Sequence, residues 1–184
     1  VNALRELALD RVLLVPARLS PHKGEGSDPG AEHRLAMCLL AIEGLDGLEV
    51  STLELGRDGP SYTVDTLSAI HERSPDVQLT FILGADIAGT LPAWREPARL
   101  LELADLAVAA RNGSDRGRAL EAVAALNGSA ERVSFLQMPP VEVSSSDIRA
   151  RVRAGEPIEG LVGAPVARYI GEHRLYTARS RDGD

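Results

Sequence analysis

The stretch "VEVSSSDIRARVRAG" (141–155) places three consecutive serines and an arginine where an extended run hands over to a helical pattern. Val141 and Val143 alternate as in a strand, whereas Asp147, Ile148 and Val152 fit a helix that Gly155 would close. A helix start offers unpaired N–H groups and the positive end of the backbone dipole. The hydroxyls of Ser145 and Ser146, with the Arg149 guanidinium about one turn in, would complete a small anion cradle. The same serines read equally well as an over-supplied N-cap.

Other stretches offer related chemistry. Lys23, in "SPHKGEG", is a mobile point charge suited to a phosphate, although a solvated loop lysine is the simpler reading. His22 beside it reads as a loop histidine. In "GADIAGTLPAW" (84–94), Gly84 lets a ligand approach a strand end, and Asp86 could accept hydrogen bonds from ribose hydroxyls or cap a helix. Trp94 is the sole tryptophan in a chain with 3% aromatic residues, and it lies among Pro92, Arg95 and Glu96 rather than in an apolar run. It suits either the stacking of a flat ring or packing under a loop. In "DGPSYTVDTLSAI" (58–70), Ser61 and Thr63 are candidate helix caps with Asp65 in the first turn, and they would equally present donors to a carboxylate or phosphate. Arg111, just past an apolar run, could reach a nucleotide or face solvent.

The elements that must position these residues alternate along the chain. Strands are expected at 11–16, 48–55, 79–84, 106–110 and 133–138, and helices at about 31–43, 63–73, 95–103, 116–126, 146–154 and 164–173. "VNALRELALDRV" at the start reads as the second half of an amphipathic helix. This alternation gives an α/β fold with a mainly parallel sheet and helices on both faces. Several strands are apolar throughout, as burial on both faces requires. In such sheets ligands gather where loops leave the carboxyl ends of strands. Lys23, the 84–94 stretch, Arg111 and the serines each follow an expected strand, which favours a binding role for the serines over capping alone.

Length and composition fit one globular domain over 1–176, followed by a disordered tail at 177–184. Hydrophobic residues make up 44% and charged residues 26%, and the formal charge is −7, which argues against nucleic acid as the main partner. The single cysteine, Cys38, precludes an internal disulfide and reads as a buried thiol. No apolar run approaches membrane-spanning length and no signal peptide opens the chain, so a cytoplasmic protein is expected. His22, His33, His71 and His173 lack metal-ligand spacing, so no protein-held metal is expected. The phosphate-loop, dinucleotide-fingerprint and nucleophile-elbow motifs are absent. Nothing fixes the oligomeric state, and a homo-oligomer stays open.

In their order, "DRVLLVPARLSPHK", "AEHRLAMCLLAI", "GPSYTVDTL", "FILGADIAGTLPAW", "VSSSDIR" and "VARYIGEHRLY" resemble bacterial nicotinate-nucleotide adenylyltransferases over about residues 1–176. The resemblance implies a Rossmann-like nucleotidyltransferase fold. It also implies the reaction nicotinate mononucleotide + ATP → nicotinate adenine dinucleotide + pyrophosphate, with Mg²⁺ accompanying ATP. "SSSDIR" matches the family's I-S-S-T-x-x-R element, so Ser145, Ser146 and the catalytic Arg149 would hold ATP phosphates; Ser146 stands where threonine is usual. Lys23 matches the catalytic lysine of a P-x-x-K loop near the reacting phosphates. Trp94 falls on a tryptophan that stacks on the pyridine ring, and Thr63 on a position whose N–H receives the nicotinate carboxylate. Gly84 and Asp86 match a G-A-D element on the adenosine side. Arg111 matches an ATP-site arginine usually followed by Pro-Gly, whereas Asn112-Gly113 follow here.

The family's opening strand, G-G-[ST]-F-[DN]-P loop and H-x-G-H motif have no counterpart in these residues. Those histidines would stabilise charge on the triphosphate during in-line attack, a reaction that rests on positioning and electrostatics without a covalent intermediate. Loss of the central strand would cost on the order of 5–10 kcal/mol, comparable to the roughly 5–15 kcal/mol that holds a domain together. The expectation is a native protein that extends upstream of Val1. Three other readings stand beside the leading one: a sibling nucleotidyltransferase such as the pantetheine-phosphate enzyme, a truncated nucleotide-binding module without chemistry, and a structural α/β domain with well-capped helices. Intact mass and N-terminal sequencing of the native protein test the expectation. An extension carrying both motifs is the expected result, and a native start at Val1 would bring the binding module forward.

Overall fold

A computed structural model describes residues 1–19, 28–109, 113–137 and 143–177, with the side chains of 113–115 left out. Lys23, His22, Arg111, Val141 and the tail from 178 onward lie outside the described residues. In chain order the elements are α1 (Asn2–Glu6), β1 (Val12–Leu14), α2 (Ala31–Ile42), β2 (Leu48–Val50), α3 (Thr63–Arg73), β3 (Leu79–Gly84), α4 (Ala85–Ala88), α5 (Pro97–Leu103), β4 (Ala104–Ala109), α6 (Gly113–Ala125), β5 (Val133–Leu136), α7 (Ser145–Ala154), α8 (Glu159–Val162) and α9 (Ala164–Glu172). Short 3₁₀ turns add Leu91–Ala93 and Ala130–Arg132. The parallel pairing and the flanking helices bear out the α/β expectation. Among the described residues no helix is long and apolar enough to cross a membrane.

Contacts divide the chain into two units, each built from two stretches of sequence. The first comprises Val1–Asp10 and Pro60–Pro140. Its sheet has the order β3-β4-β5, with all pairs parallel. Central β4 is closed on both faces: Ala104, Leu106, Ala107 and Val108 are all buried, which is why its sequence lacks a polar alternation. The register aligns Gly84 with Ala109 and Ala109 with Leu136, so the three strands end on one line and their following loops leave from one edge. Leu67, Leu83, Leu91, Leu100, Leu106 and Val123 form the core, with Phe81, Trp94 and Phe135 packed at its margin.

The second unit comprises Arg11–Gly59 and Val141–Asp184. Here β1 pairs with β2 in parallel, Val12 opposite Leu48. The core is Ile158, Val166, Ile170 and Leu175, against which Met37, Leu40, Ile148 and Val152 pack. Gly155 closes α7 as expected: at φ 71° it adopts the left-handed cap, and the Glu156 N–H reaches the Arg151 carbonyl at 2.9 Å. Among the described residues, β1 and β3 each have a strand partner on one side only.

Several boundaries differ from expectation. The strand expected over 48–55 stops at Val50, because the Ser51 hydroxyl accepts the Leu53 N–H at 3.3 Å and the Thr52 carbonyl accepts those of Leu55 and Gly56. These local bonds curl the chain into a turn and withdraw it from the ladder. The helix expected from 95 starts at Pro97, where a missing N–H costs nothing. β4 follows directly, starting at Ala104 rather than 106. Cys38 is half-buried; burial raises its thiol pKa while Arg34 pulls it down, and burial is the larger effect, which disfavours the thiolate.

Leu100 is fully enclosed in the first unit's core. Leu100→Ala is expected to cost about 2–5 kcal/mol in urea unfolding, whereas Leu39→Ala, at a half-exposed position of α2, stays within about 1 kcal/mol.

Candidate functional site

In the first unit the site residues are set by the end of β3. A Cβ added to Gly84 would lie 2.6 Å from Asp86 Oδ1, so the carboxylate folds back over the glycine. A side chain at Gly84 would make the exposed Asp86 carboxylate shift from this posture. Asp86 is exposed in the first turn of α4, and the N-cap position belongs to Gly84, which removes the capping reading of Asp86. Its carboxylate accepts no hydrogen bond from a described residue, leaving an acceptor suited to hydroxyl groups.

Trp94 ends the 3₁₀ turn that follows. Its indole Nε1–H donates to Thr90 Oγ1 at 3.0 Å, and the Thr90 hydroxyl donates to the Ile87 carbonyl at 2.7 Å. The ring meets Phe81 edge to face, centroids 6.0 Å apart. The half-buried ring is anchored at its N–H and along one edge, which bears out the reading that it packs on the core.

At the start of α3 the N-cap is neither Ser61 nor Thr63: Tyr62 occupies it, and Thr63 is the first helical residue. The Tyr62 side chain makes no cap bond, because its hydroxyl lies too far from the backbone to return to the first-turn N–H groups. Arg95, to which local patterning assigns no role, reaches this helix start. Its guanidinium carbon lies 4.7 Å from the Tyr62 ring centroid, and Nη1 is 3.5 Å from Asp65 Oδ2. Nothing in the local sequence links positions 62 and 95.

In the second unit the three serines divide their work. Ser144 is the N-cap: its Oγ accepts the Asp147 N–H at 3.1 Å, and Asp147 Oδ2 accepts the Ser144 N–H at 2.9 Å. The Ser144 hydroxyl also donates to Asp147 Oδ2 at 2.6 Å. This reciprocal box satisfies the helix start, so Ser145 and Ser146 are not needed as caps. Both are exposed, and Ser146 Oγ accepts from Arg149 Nη2 at 3.0 Å. The bonds from Ser144, side chain first, hold the Asp147 carboxyl below its ordinary pKa.

Behind Arg149 stands Tyr176. Burial raises its phenol pKa, while Arg149 and Arg34 lower it and Asp28 raises it. Arg34, on α2, hydrogen-bonds the carbonyls of Ala17 and Arg18 and pairs with Asp28. It therefore ties both flanks of the segment that carries Lys23. The sequence signalled none of these three partners, because the contacts join distant positions.

Each unit thus offers distinct chemistry. The first presents an anchored indole, a helix start whose N-cap side chain makes no cap bond, and an exposed carboxylate that accepts no hydrogen bond among the described residues; the second presents hydroxyls and a guanidinium at a capped helix start. Among the described residues no group of three or more His, Cys, Asp or Glu side chains could hold a metal ion.

Comparison with known proteins places this arrangement in a class. The cytidylyltransferase-like family model matches residues 1–151. Among curated relatives, proteins named "probable nicotinate-nucleotide adenylyltransferase" match almost end to end. That of Symbiobacterium thermophilum is 41% identical over 184 residues, covering 100% of this chain and 88% of the relative. That of Bordetella avium is 42% identical over 175 residues, covering 95% and 87%. The Plasmodium falciparum nicotinic acid mononucleotide adenylyltransferase complexed with NaAD superposes with a TM-score of 0.69 over 96% of this chain and 91% of its own, at 18% identity, a likeness of fold. The chain belongs to the cytidylyltransferase-like family and, within it, to the nicotinate-nucleotide adenylyltransferases.

The division among the serines is testable. Ser144→Ala is expected to cost about 1 kcal/mol in thermal or urea unfolding, whereas Ser145→Ala and Ser146→Ala stay within about 0.5 kcal/mol. Because the folded-state pKa of Asp147 is lowered, its stabilising effect is present above the unfolded value near pH 4 and is lost as pH falls through the folded one. The Tm difference between wild type and Asp147→Asn should therefore be open at neutral pH and close in strong acid.

Proposed function

We propose that this protein transfers the adenylyl group of ATP to nicotinate mononucleotide, giving nicotinate adenine dinucleotide and pyrophosphate, a step of NAD biosynthesis. The observation that carries this reading is the near end-to-end likeness, at about 40% identity, to relatives bearing that name. In the reaction a phosphate oxygen of the mononucleotide attacks the α-phosphorus of ATP. A P–O bond forms there, the bond to the β-phosphate bridge breaks, and pyrophosphate leaves with the electron pair.

The first unit supplies the recognition of rings and sugars. Trp94 would stack on the pyridine ring, and the N–H of Thr63 would receive the nicotinate carboxylate at the start of α3. Gly84 would allow the adenosine to approach, with Asp86 accepting from its ribose. The second unit supplies phosphate recognition. Ser145, Ser146 and the N–H groups of α7 would bind triphosphate oxygens, and Arg149, already oriented by Ser146, would offset negative charge as it builds toward the leaving pyrophosphate. On sequence grounds Lys23 is assigned to the reacting phosphates and Arg111 to ATP.

Mg²⁺ fits this donor set as a companion of ATP. The α7 groups are donors, which match phosphate oxygens rather than a cation, and magnesium commonly binds through substrate phosphates and keeps its waters. When bound it neutralises triphosphate charge. A cytoplasmic location accompanies the reading, as the compartment in which ATP and mononucleotide meet.

The test is pyrophosphate release from Mg-ATP that depends on added mononucleotide, measured on the native protein. Turnover with nicotinate mononucleotide is expected. Preference for phosphopantetheine would replace the reading with the sibling enzyme, and nucleotide binding without release would leave a binding module. Trp94→Ala is expected to raise KM for the mononucleotide about tenfold, and Arg149→Ala to lower kcat on the order of a hundredfold.

A further inference from the structure

We infer that Arg95 is a positioning residue: it fixes the Trp94 loop against the start of α3 and masks two carboxylates there, so that the site prefers a ring bearing a negative charge. The inference rests on the proposed assignment of Trp94 and Thr63 to the pyridine nucleotide.

Trp94 is held on its N-terminal side by Thr90 and by Phe81. On its C-terminal side the chain passes through Glu96, whose backbone is left-handed at φ 46° and ψ 56°, immediately before Pro97. That conformation is unfavourable for a non-glycine residue and persists only where neighbouring contacts impose it. Arg95, between the ring and the strained turn, supplies contacts of that kind. Its guanidinium lies over Tyr62, the N-cap of α3, and pairs with Asp65 in the first turn. Its Nε lies 3.6 Å from Glu96 Oε1. One side chain therefore spans from the indole loop to the helix start whose first residue is Thr63. A flat ring with a fixed carboxylate is rigid, so it needs both surfaces at a set separation.

The charges add a second effect. Asp65 places a negative charge in the first turn of α3 and Glu96 a second one beside Arg95, and Arg95 pairs with both. Removing Arg95 would leave two carboxylates facing a ligand carboxylate, a penalty that a neutral amide would not suffer. The individual contacts are half-exposed and weak, so the expected effects are modest.

The experiment compares wild type, Arg95→Ala and Arg95→Lys in the native protein, with two readouts. Trp94 is the sole tryptophan, so acrylamide quenching of its fluorescence reports the loop without any ligand. Steady-state kinetics with nicotinate and nicotinamide mononucleotides report the site. Arg95→Ala is expected to increase quenching and to raise KM for the acid about three- to tenfold, with kcat changed less than about twofold and the amide affected less. Arg95→Lys should restore the acid-to-amide ratio but not the protection of Trp94, since an ammonium lacks the planar face that stacks on Tyr62. Unchanged quenching together with an unchanged acid-to-amide ratio in Arg95→Ala overturns the inference, as does an equal KM rise for both mononucleotides. Failure of wild type to turn over either mononucleotide overturns the proposed function instead, and quenching then still decides whether Arg95 holds the loop.

Discussion

The parallel register of β3, β4 and β5 governs what the first unit can do. Gly84, Ala109 and Leu136 stand opposite one another, so all three strands stop together. A parallel sheet cannot use tight hairpins; each strand must leave through a loop and return by a crossover. Ending the strands on one line puts those exits at one edge, and the loop carrying Asp86 and Trp94 begins there. β4 is central and buried on both faces, and it pairs in this register with a strand on each side.

At the second unit's helix start, capping uses only some of the polar side chains. Capping needs one hydroxyl and one acceptor, and Ser144 and Asp147 provide them to each other. Ser145 and Ser146 are then left with exposed hydroxyls, and Arg149 is oriented by one of them at 3.0 Å. A helix start that used all its polar side chains internally would have none to offer an anion. The run of serines is explained by this division more fully than by capping or by binding alone.

What could be read from the sequence follows from the range of the interactions involved. β3, α3 and α7 were legible because periodicity and helix signals act over a few residues: apolar continuity over 79–84, a turn into a helix at 63, and Gly155 at the close. The end of β2 was misread because Ser51 and Thr52 form local bonds that apolar content does not reveal. The N-cap residue was misread for a related reason: Ser61 and Thr63 have suitable chemistry, but the chain enters the helix at Tyr62, a matter of backbone geometry. Trp94 could be singled out as an isolated aromatic, yet its anchors, Thr90 and Phe81, became visible only in the fold. Arg95 and Arg34 were illegible because their partners lie far along the chain or on another element.

The chain carries a formal charge of −7, and the ligands proposed for it are anions. Long-range attraction therefore cannot bring them in, but at physiological salt charges beyond about 8 Å are largely screened, so the nearest groups decide. Those groups include acidic residues: Asp65 and Asp147 each sit in the first turn of a helix, where a carboxylate stabilises the dipole but would repel an anionic ligand. In both places the conflict is met locally. Asp147 accepts from the Ser144 N–H and hydroxyl, and Asp65 faces the Arg95 guanidinium. Each carboxylate keeps its favourable interaction with the helix while its charge is offset by a neighbour on the same unit.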